Sequence, residues 1–119
     1  MAVLPREQRL RKTGDFKAVY TRGRSYVHPA LVVYVLKREG DEARIGFSIS
    51  KKLGGATDRN RIKRRLREAG RELVAHLMDG TDVVVVARAK AAESTVREMR
   101  GVLETQLRRV GALRESESG

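Results

Sequence analysis

Residues Lys51 to Arg71, KKLGGATDRNRIKRRLREAGR, hold nine Lys or Arg and two acids, a net charge of +7. The whole chain carries +11, so this one segment supplies most of the excess. It also has helical periodicity. Ile62, Leu66, Ala69, Leu73 and Leu77 recur at i, i+4, i+7, i+11 and i+15, one stripe at about 3.6 residues per turn. At ~100° per residue, Asn60, Arg64, Arg67 and Arg71 fall opposite that stripe, with Lys63 beside them. The chain must therefore fold around a helix with one face in a core and the other densely cationic. Gly54 and Gly55 break what precedes the helix, and Thr57 or Asp58 is expected to cap its first turn. Glu68 is expected to pair with Arg64 and Glu72 with Arg65, which leaves most of the bases unneutralised. A charge run is usually a solvated face, but stabilising surface helices mix signs and this one does not. Arginine forks beside the open N–H groups of a helix start suit phosphate. The segment reads as an anion-binding helix, with nucleic acid the leading partner.

The remaining charge is unevenly placed. Residues 1–24 carry net +5, residues 25–50 net zero and residues 72–119 net −1. If the N-terminal segment and the central helix meet in space, they form one basic patch. A length of 119 residues predicts a single domain over 1–119, ordered from about 9 to 112, with a disordered tail at 114–119. Hydrophobic residues make up 40%, enough for a modest core. There are no cysteines, which excludes disulfides and thiolate metal sites and suits a reducing cytoplasm. No apolar run is long enough to cross a membrane, and the first twelve residues lack the apolar core of a secretory signal. A pI near 10.8 points to a polyanionic partner.

Along the chain, Thr13 offers a cap for a short helix to about Thr21, ended by Gly23, with Phe16, Val19 and Tyr20 on one face. Core packing is the better reading of Val19. Phe16 and Tyr20 are open to two readings, core packing or base stacking, because they sit beside Lys17 and Arg22. Ser25 to Pro29 is an extended lead or a strand of its own, and the side of Tyr26 is not fixed. Ala30–Lys37, ALVVYVLK, is apolar at both parities and reads as a central strand containing Tyr34. Ala43–Ser50 alternates, with Ile45, Phe47 and Ile49 toward a core and Arg44, Gly46, Ser48 and Ser50 on the other face. The short turn between these two strands predicts that they pair antiparallel. Asp82–Arg88, DVVVVAR, reads as a buried strand. Ser94 or Thr95 caps a last helix with the stripe Val96, Met99, Leu103, Leu107 and Val110. The sum is an α+β fold, a two-layer α/β sandwich with three helices on a small mixed four-stranded sheet. His28 and His76 are far apart in sequence, Asp79 and Asp82 flank a turn glycine, and no nucleophile has a base beside it. The chain's own side chains are not expected to perform chemistry.

The stretch LGGATDRNRIKRRLRE resembles the signature of the protein subunit of bacterial ribonuclease P, an Arg-Asn-Arg core followed by a basic helix. The core here is Arg59, Asn60 and Arg61, continuing through Lys63, Arg64 and Arg67. The pair Phe16 and Tyr20, the strand tyrosine Tyr34, and Ser50-Lys51-Lys52 before the glycines also sit where that family has them, so the likeness spans about Arg9 to Val110. Thr57-Asp58 departs from the family pattern, which has a hydrophobic and a non-acidic residue there. The resemblance implies RNA binding by Lys51, Lys52, Arg59, Asn60, Arg61, Lys63, Arg64, Arg67 and Arg71. It implies a cleft for a single-stranded leader, lined by Phe16, Lys17, Tyr20, Tyr34 and Ser48. It further implies endonucleolytic removal of the 5′ leader of precursor tRNA by a ribonucleoprotein. The catalytic RNA subunit and its Mg²⁺ would carry the reaction, with no cofactor, membrane or protein partner required by this chain. It also implies a left-handed βαβ crossover, where general chirality predicts a right-handed one. The alternative on sequence is a structural RNA-binding protein of the ribosome or its assembly. A DNA-binding helix fits less well, since no groove-reading element or dimer symmetry is visible.

Overall fold

A computed structural model of the chain describes residues 9–10 and 12–114. The expected frayed start and most of the expected tail lie outside them. Arg114, assigned to that tail, is instead held. Its guanidinium donates to the Asp79 carboxylate at 2.6 Å, and its backbone N–H donates to the His76 carbonyl at 2.7 Å.

Among the described residues, three helices and four strands follow in the order α1 (Thr13–Arg22), β1 (Arg24–Val27), β2 (Leu31–Lys37), β3 (Arg44–Ile49), α2 (Ala56–Val74), β4 (Thr81–Ala87) and α3 (Val96–Arg109). Short 3-10 turns at Lys51–Leu53 and Ala89–Glu93 lead into α2 and toward α3. The start of α3 is specified as expected. Thr95 accepts from the Glu98 N–H, and the Glu98 carboxylate accepts from the Thr95 N–H, a complete capping box. The other two helix starts correct the sequence reading. Thr13 is the first residue of α1, not its cap, and Lys12 precedes it without a side-chain bond. Helix α2 begins before Asp58, with Gly55 at its cap and no side-chain cap hydrogen bond. Asp58 therefore lies inside the first turn, where its charge complements the helix dipole.

The sheet order is β1-β2-β4-β3. Strands β1 and β2 are antiparallel, β2 and β4 are antiparallel, and β3 and β4 are parallel. The expected β2–β3 hairpin is thus wrong, because β4 lies between them. The reason is burial. Strands β2 and β4 are apolar at both parities and need neighbours on both sides, whereas alternating β3 tolerates an edge. Covering two doubly apolar strands outweighs the local convenience of a short turn.

The two faces of the sheet bury different partners. Leu31, Val33 and Val35 of β2, Val83, Val85 and Ala87 of β4, and Ile45 of β3 meet α2 and α3 through Ile62, Leu66, Leu73, Met99, Leu103 and Leu107. The opposite face carries a smaller cluster of Leu10, Val19 and Val84, with Phe16, Tyr34, Leu36 and Val86 against it, beneath α1. Gly46 makes the approach of α1 possible. A Cβ there would lie 2.6 Å from the Phe16 ring and 3.0 Å from Leu10. Charge fixes the same junction. The Asp82 side chain, 4% exposed, takes a bidentate fork from Arg44 at 2.9 and 2.7 Å and a third bond from Arg38 Nε at 2.9 Å. Arg44 reaches on to Asp15 of α1 at 3.4 Å, and the Asp82 hydrogen bonds hold its guanidinium more firmly charged than usual.

Candidate nucleic-acid interface

Helix α2 stands by its apolar stripe. Ile62, Leu66, Ala69, Leu73 and Val74 are buried, and Gly70 lets Phe47 and Ile45 approach its backbone. The same helical phase sends Asn60 and Arg64 outward, with Lys63 and Arg67 half-exposed along the flank nearest β3. A hollow of about 440 Å³ is lined by Thr57, Asn60, Lys63, Arg64 and Arg67. The acids of this helix turn elsewhere. Glu68 pairs with Arg71 at 3.4 Å and Glu72 with Arg100 of α3, not with Arg64 and Arg65 as expected. Arg64 is left without an acidic partner among the described residues, while Arg71 is partly neutralised.

The remaining basic residues spread out. Lys51 and Lys52 are exposed on the turn before α2. Arg59 is half-buried, and its Nε has no hydrogen-bond partner among the described residues. Arg61 projects to the flank shared with Arg65, whose guanidinium reaches the Ser94 carbonyl at 3.4 Å, and so stands apart from the others.

Across the sheet, the aromatic residues of α1 form a wall. The rings of Tyr20 and Tyr34 meet edge to face at 5.0 Å, and those of Phe16 and Tyr20 lie 6.3 Å apart. Tyr20 keeps 40% of its surface exposed, so it is neither a core residue nor fully free. Lys17 is exposed on the same helix. Ser48 pairs in register with Val86 and shares the face of Gly46, beside the wall.

The arginine face and this wall are continuous. A second hollow, of about 340 Å³, is bounded by Arg9, Leu10 and Phe16 on one side and by Lys63 and Arg67 on the other, with Gly46 and Phe47 as floor. Lys63 and Arg67 line both hollows. The basic N-terminal segment thus meets the basic helix at Arg9, through the bridge that sets Arg9 alongside Ile45 of β3. Nothing in the sequence marks Arg9 as a site residue. It lies in a polar stretch without periodicity, and only its bridge to β3 reveals its place. His28 has a local role, its Nδ1 accepting from the Ala30 N–H at 3.0 Å, and Asp82 serves the arginine network rather than a turn.

The family model described as Ribonuclease P matches residues 4–111, nearly the whole chain. The chain belongs to the ribonuclease P protein family. The ribonuclease P protein component of Shouchella clausii is 40% identical over 111 residues, covering 92% of this chain and 91% of that one. The component of Exiguobacterium sibiricum is 41% identical over 109 residues, covering 91% and 94%. The solved ribonuclease P protein of Staphylococcus aureus superposes with a TM-score of 0.79 at 36% identity, over 89% of this chain and 97% of that one. The Thermotoga maritima protein gives 0.75 at 33% identity, over 85% and 96%. Membership in the ribonuclease P protein family gives the chain the role of protein subunit of an RNA-based endoribonuclease in tRNA 5′ processing. The α+β fold with its four-stranded mixed sheet is the fold of those solved ribonuclease P proteins.

Proposed function

We propose that this ribonuclease P protein is a binding subunit with two joined surfaces. The arginine face of α2 engages the backbone of the catalytic RNA, and the aromatic wall beneath α1 holds the unpaired 5′ leader of precursor tRNA. The observation that carries the reading is the sharing of Lys63 and Arg67 by both hollows, which makes one cationic path from helix to wall. Asn60, Lys63, Arg64 and Arg67 supply charge and forked donors to phosphates where two RNA strands converge. Gly55 caps α2 without a side chain and leaves first-turn N–H groups for an anion, with Lys51, Lys52 and Arg59 as a cationic surround, while Arg61 offers a further cation on the Arg65 flank. Phe16, Tyr20 and Tyr34 offer ring faces and edges to leader bases, with Lys17 toward the phosphates and Ser48 on the floor.

Hydrolysis in this reading belongs to the RNA and its Mg²⁺. Among the described residues, the hollow joining the two surfaces is lined by arginine, lysine and apolar groups with no carboxylate, a lining that favours phosphate over a bare cation. The protein raises the yield of productive encounters by neutralising charge that Mg²⁺ would otherwise have to screen. Cleavage of precursor tRNA by the RNA alone and with the purified protein, at low Mg²⁺, tests this. A large gain with protein is expected, and equal rates would refute the reading.

A further inference from the structure

The edge of the sheet farthest from α2 carries its own cationic surface. Between the β1–β2 turn and the outer side of α3 lies a hollow of about 600 Å³ bordered by Lys90, Arg97 and Arg109, with Val27 at its rim. Gly101 borders it, and a Cβ there would meet nothing within 4 Å. A second hollow, of about 440 Å³, is bordered by Arg22, Arg24 and Lys37 around Val35, Leu36 and Val110. Val110 directly follows Arg109, so the second hollow begins where α3 ends. Tyr26 lines neither hollow; it lies on β1 between Arg24, which borders one, and Val27, which borders the other. Its register opposite Val33 turns it toward the α3 side of β1, and it is half-buried.

Charge is segregated here in a way that solvation alone does not require. Arg22, Arg24, Lys37, Lys90, Arg97 and Arg109 take part in no ion pair among the described residues. The neighbouring bases of α3 do. Arg100 is paired with Glu72 and Arg108 with Glu104. Among the described residues, Glu98 is the one acid bordering the hollows; it accepts from the Thr95 N–H at 2.9 Å and stays charged near Lys90, one acid against six bases. What remains is a concave, largely cationic strip with Tyr26 on the neighbouring strand. Arg97 and Arg109 stand about 18 Å apart along the helix axis. The four-stranded sheet sets this edge about 14 Å across from the β3 edge.

We propose that this strip is a second RNA-binding surface, taking the phosphate backbone of one strand along α3 with Tyr26 beneath a base. The proposal rests on the RNA-binding reading above and adds that RNA approaches the protein from both edges of the sheet. Spaced bases bordering concave hollows, with a tyrosine on the adjoining strand, match a sugar–phosphate chain better than a flat lipid surface. The strand could come from the catalytic RNA or from the precursor, and the two are separated by assaying each.

The test measures affinity against salt for full-length protein on ribonuclease P RNA and, separately, on precursor tRNA. The triple variant Arg24→Ala, Arg97→Ala, Arg109→Ala should flatten the slope by about two units on one of these RNAs. The RNA affected identifies the source of the strand. Melting temperature should not change, because all three side chains are exposed. Reversal by Arg97→Glu with Arg109→Glu should weaken the same RNA further. Arg64→Ala with Arg67→Ala serves as control and should flatten the slope by one to two units, about 0.7 for each phosphate no longer neutralised. A wild-type slope for the triple variant beside a flattened control overturns the strip and leaves the arginine face standing. Unchanged slopes for both variants overturn the RNA-binding reading and the strip with it. An unchanged RNA slope with lost retention on phosphatidylglycerol vesicles would also overturn the proposal, in favour of a membrane surface.

Discussion

Replacing Tyr20 with alanine separates leader binding from simple packing. The ring is 40% exposed and lies edge-on to Tyr34 at 5.0 Å. Truncating a fully buried aromatic costs about 3–5 kcal/mol, and an aromatic pair adds about 0.5–1.5 kcal/mol. For a ring covered only in part, the stability loss should be about 2 kcal/mol, a fall in melting temperature of roughly 5–10 °C. Stacking on a base is worth about 1–3 kcal/mol, so affinity for leader-bearing precursor should fall about 5- to 150-fold. Mature tRNA, which has no leader to place there, should bind as before at a temperature well below both midpoints. Tyr20→Phe keeps the ring and should restore both quantities. Fluorescence titration of precursor and mature tRNA, beside calorimetric melting of each variant, measures all of this. Equal losses for the two RNAs would refute leader stacking and leave Tyr20 a packing residue.

Other outcomes follow from the junction of α1 with the sheet. Gly46→Ala forces a methyl to within 2.6 Å of the Phe16 ring and should cost about 1–3 kcal/mol in denaturant unfolding, with precursor affinity reduced as the wall shifts. Asp82→Asn leaves the Arg44 and Arg38 guanidinium groups without their shared carboxylate and should cost about 3 kcal/mol, read in the same unfolding assay. The Glu98 carboxylate is held below its ordinary value of 4.5 by the backbone hydrogen bond from Thr95. Its contribution to stability is therefore present above that value and lost as pH falls through and below it, and Glu98→Gln should remove this part of the pH dependence in thermal melts.

Much of this arrangement is legible in single residues. The 3.6 spacing of Ile62, Leu66, Ala69 and Leu73 places α2 with its buried side correctly, and the opposed arginines follow from geometry alone. Met99, Leu103 and Leu107 do the same for α3. Long-range pairing is not legible. The turn at residues 38–42 favours a hairpin, and nothing local says that Asp82–Ala87 will enter between its two strands. A hint is present in ALVVYVLK and DVVVVAR, the two strands with no polar face, since two such strands in a four-stranded sheet must occupy its middle. Asp82 is equally opaque. Its partner Arg44 becomes a neighbour only when the parallel register sets the two residues side by side. Tyr26 has no sequence-based placement, because the side of a four-residue edge strand depends entirely on its register with β2.

The position of β4 also dictates a timetable. Residue 31 meets residue 87 and residue 37 meets residue 81, so β2 cannot complete its pairing until almost three-quarters of the chain has left the ribosome. Until then β2 and β3 each present an open edge, and the intervening helix, with its unneutralised arginines, is already synthesised. Closing so distant a pairing is entropically slow. The nascent chain therefore exposes its cationic helix segment before it has a sheet to mount it on. An RNA arriving in that interval would meet the cations before the fold, and one that favoured the finished helix would lower the cost of bringing the last strand home.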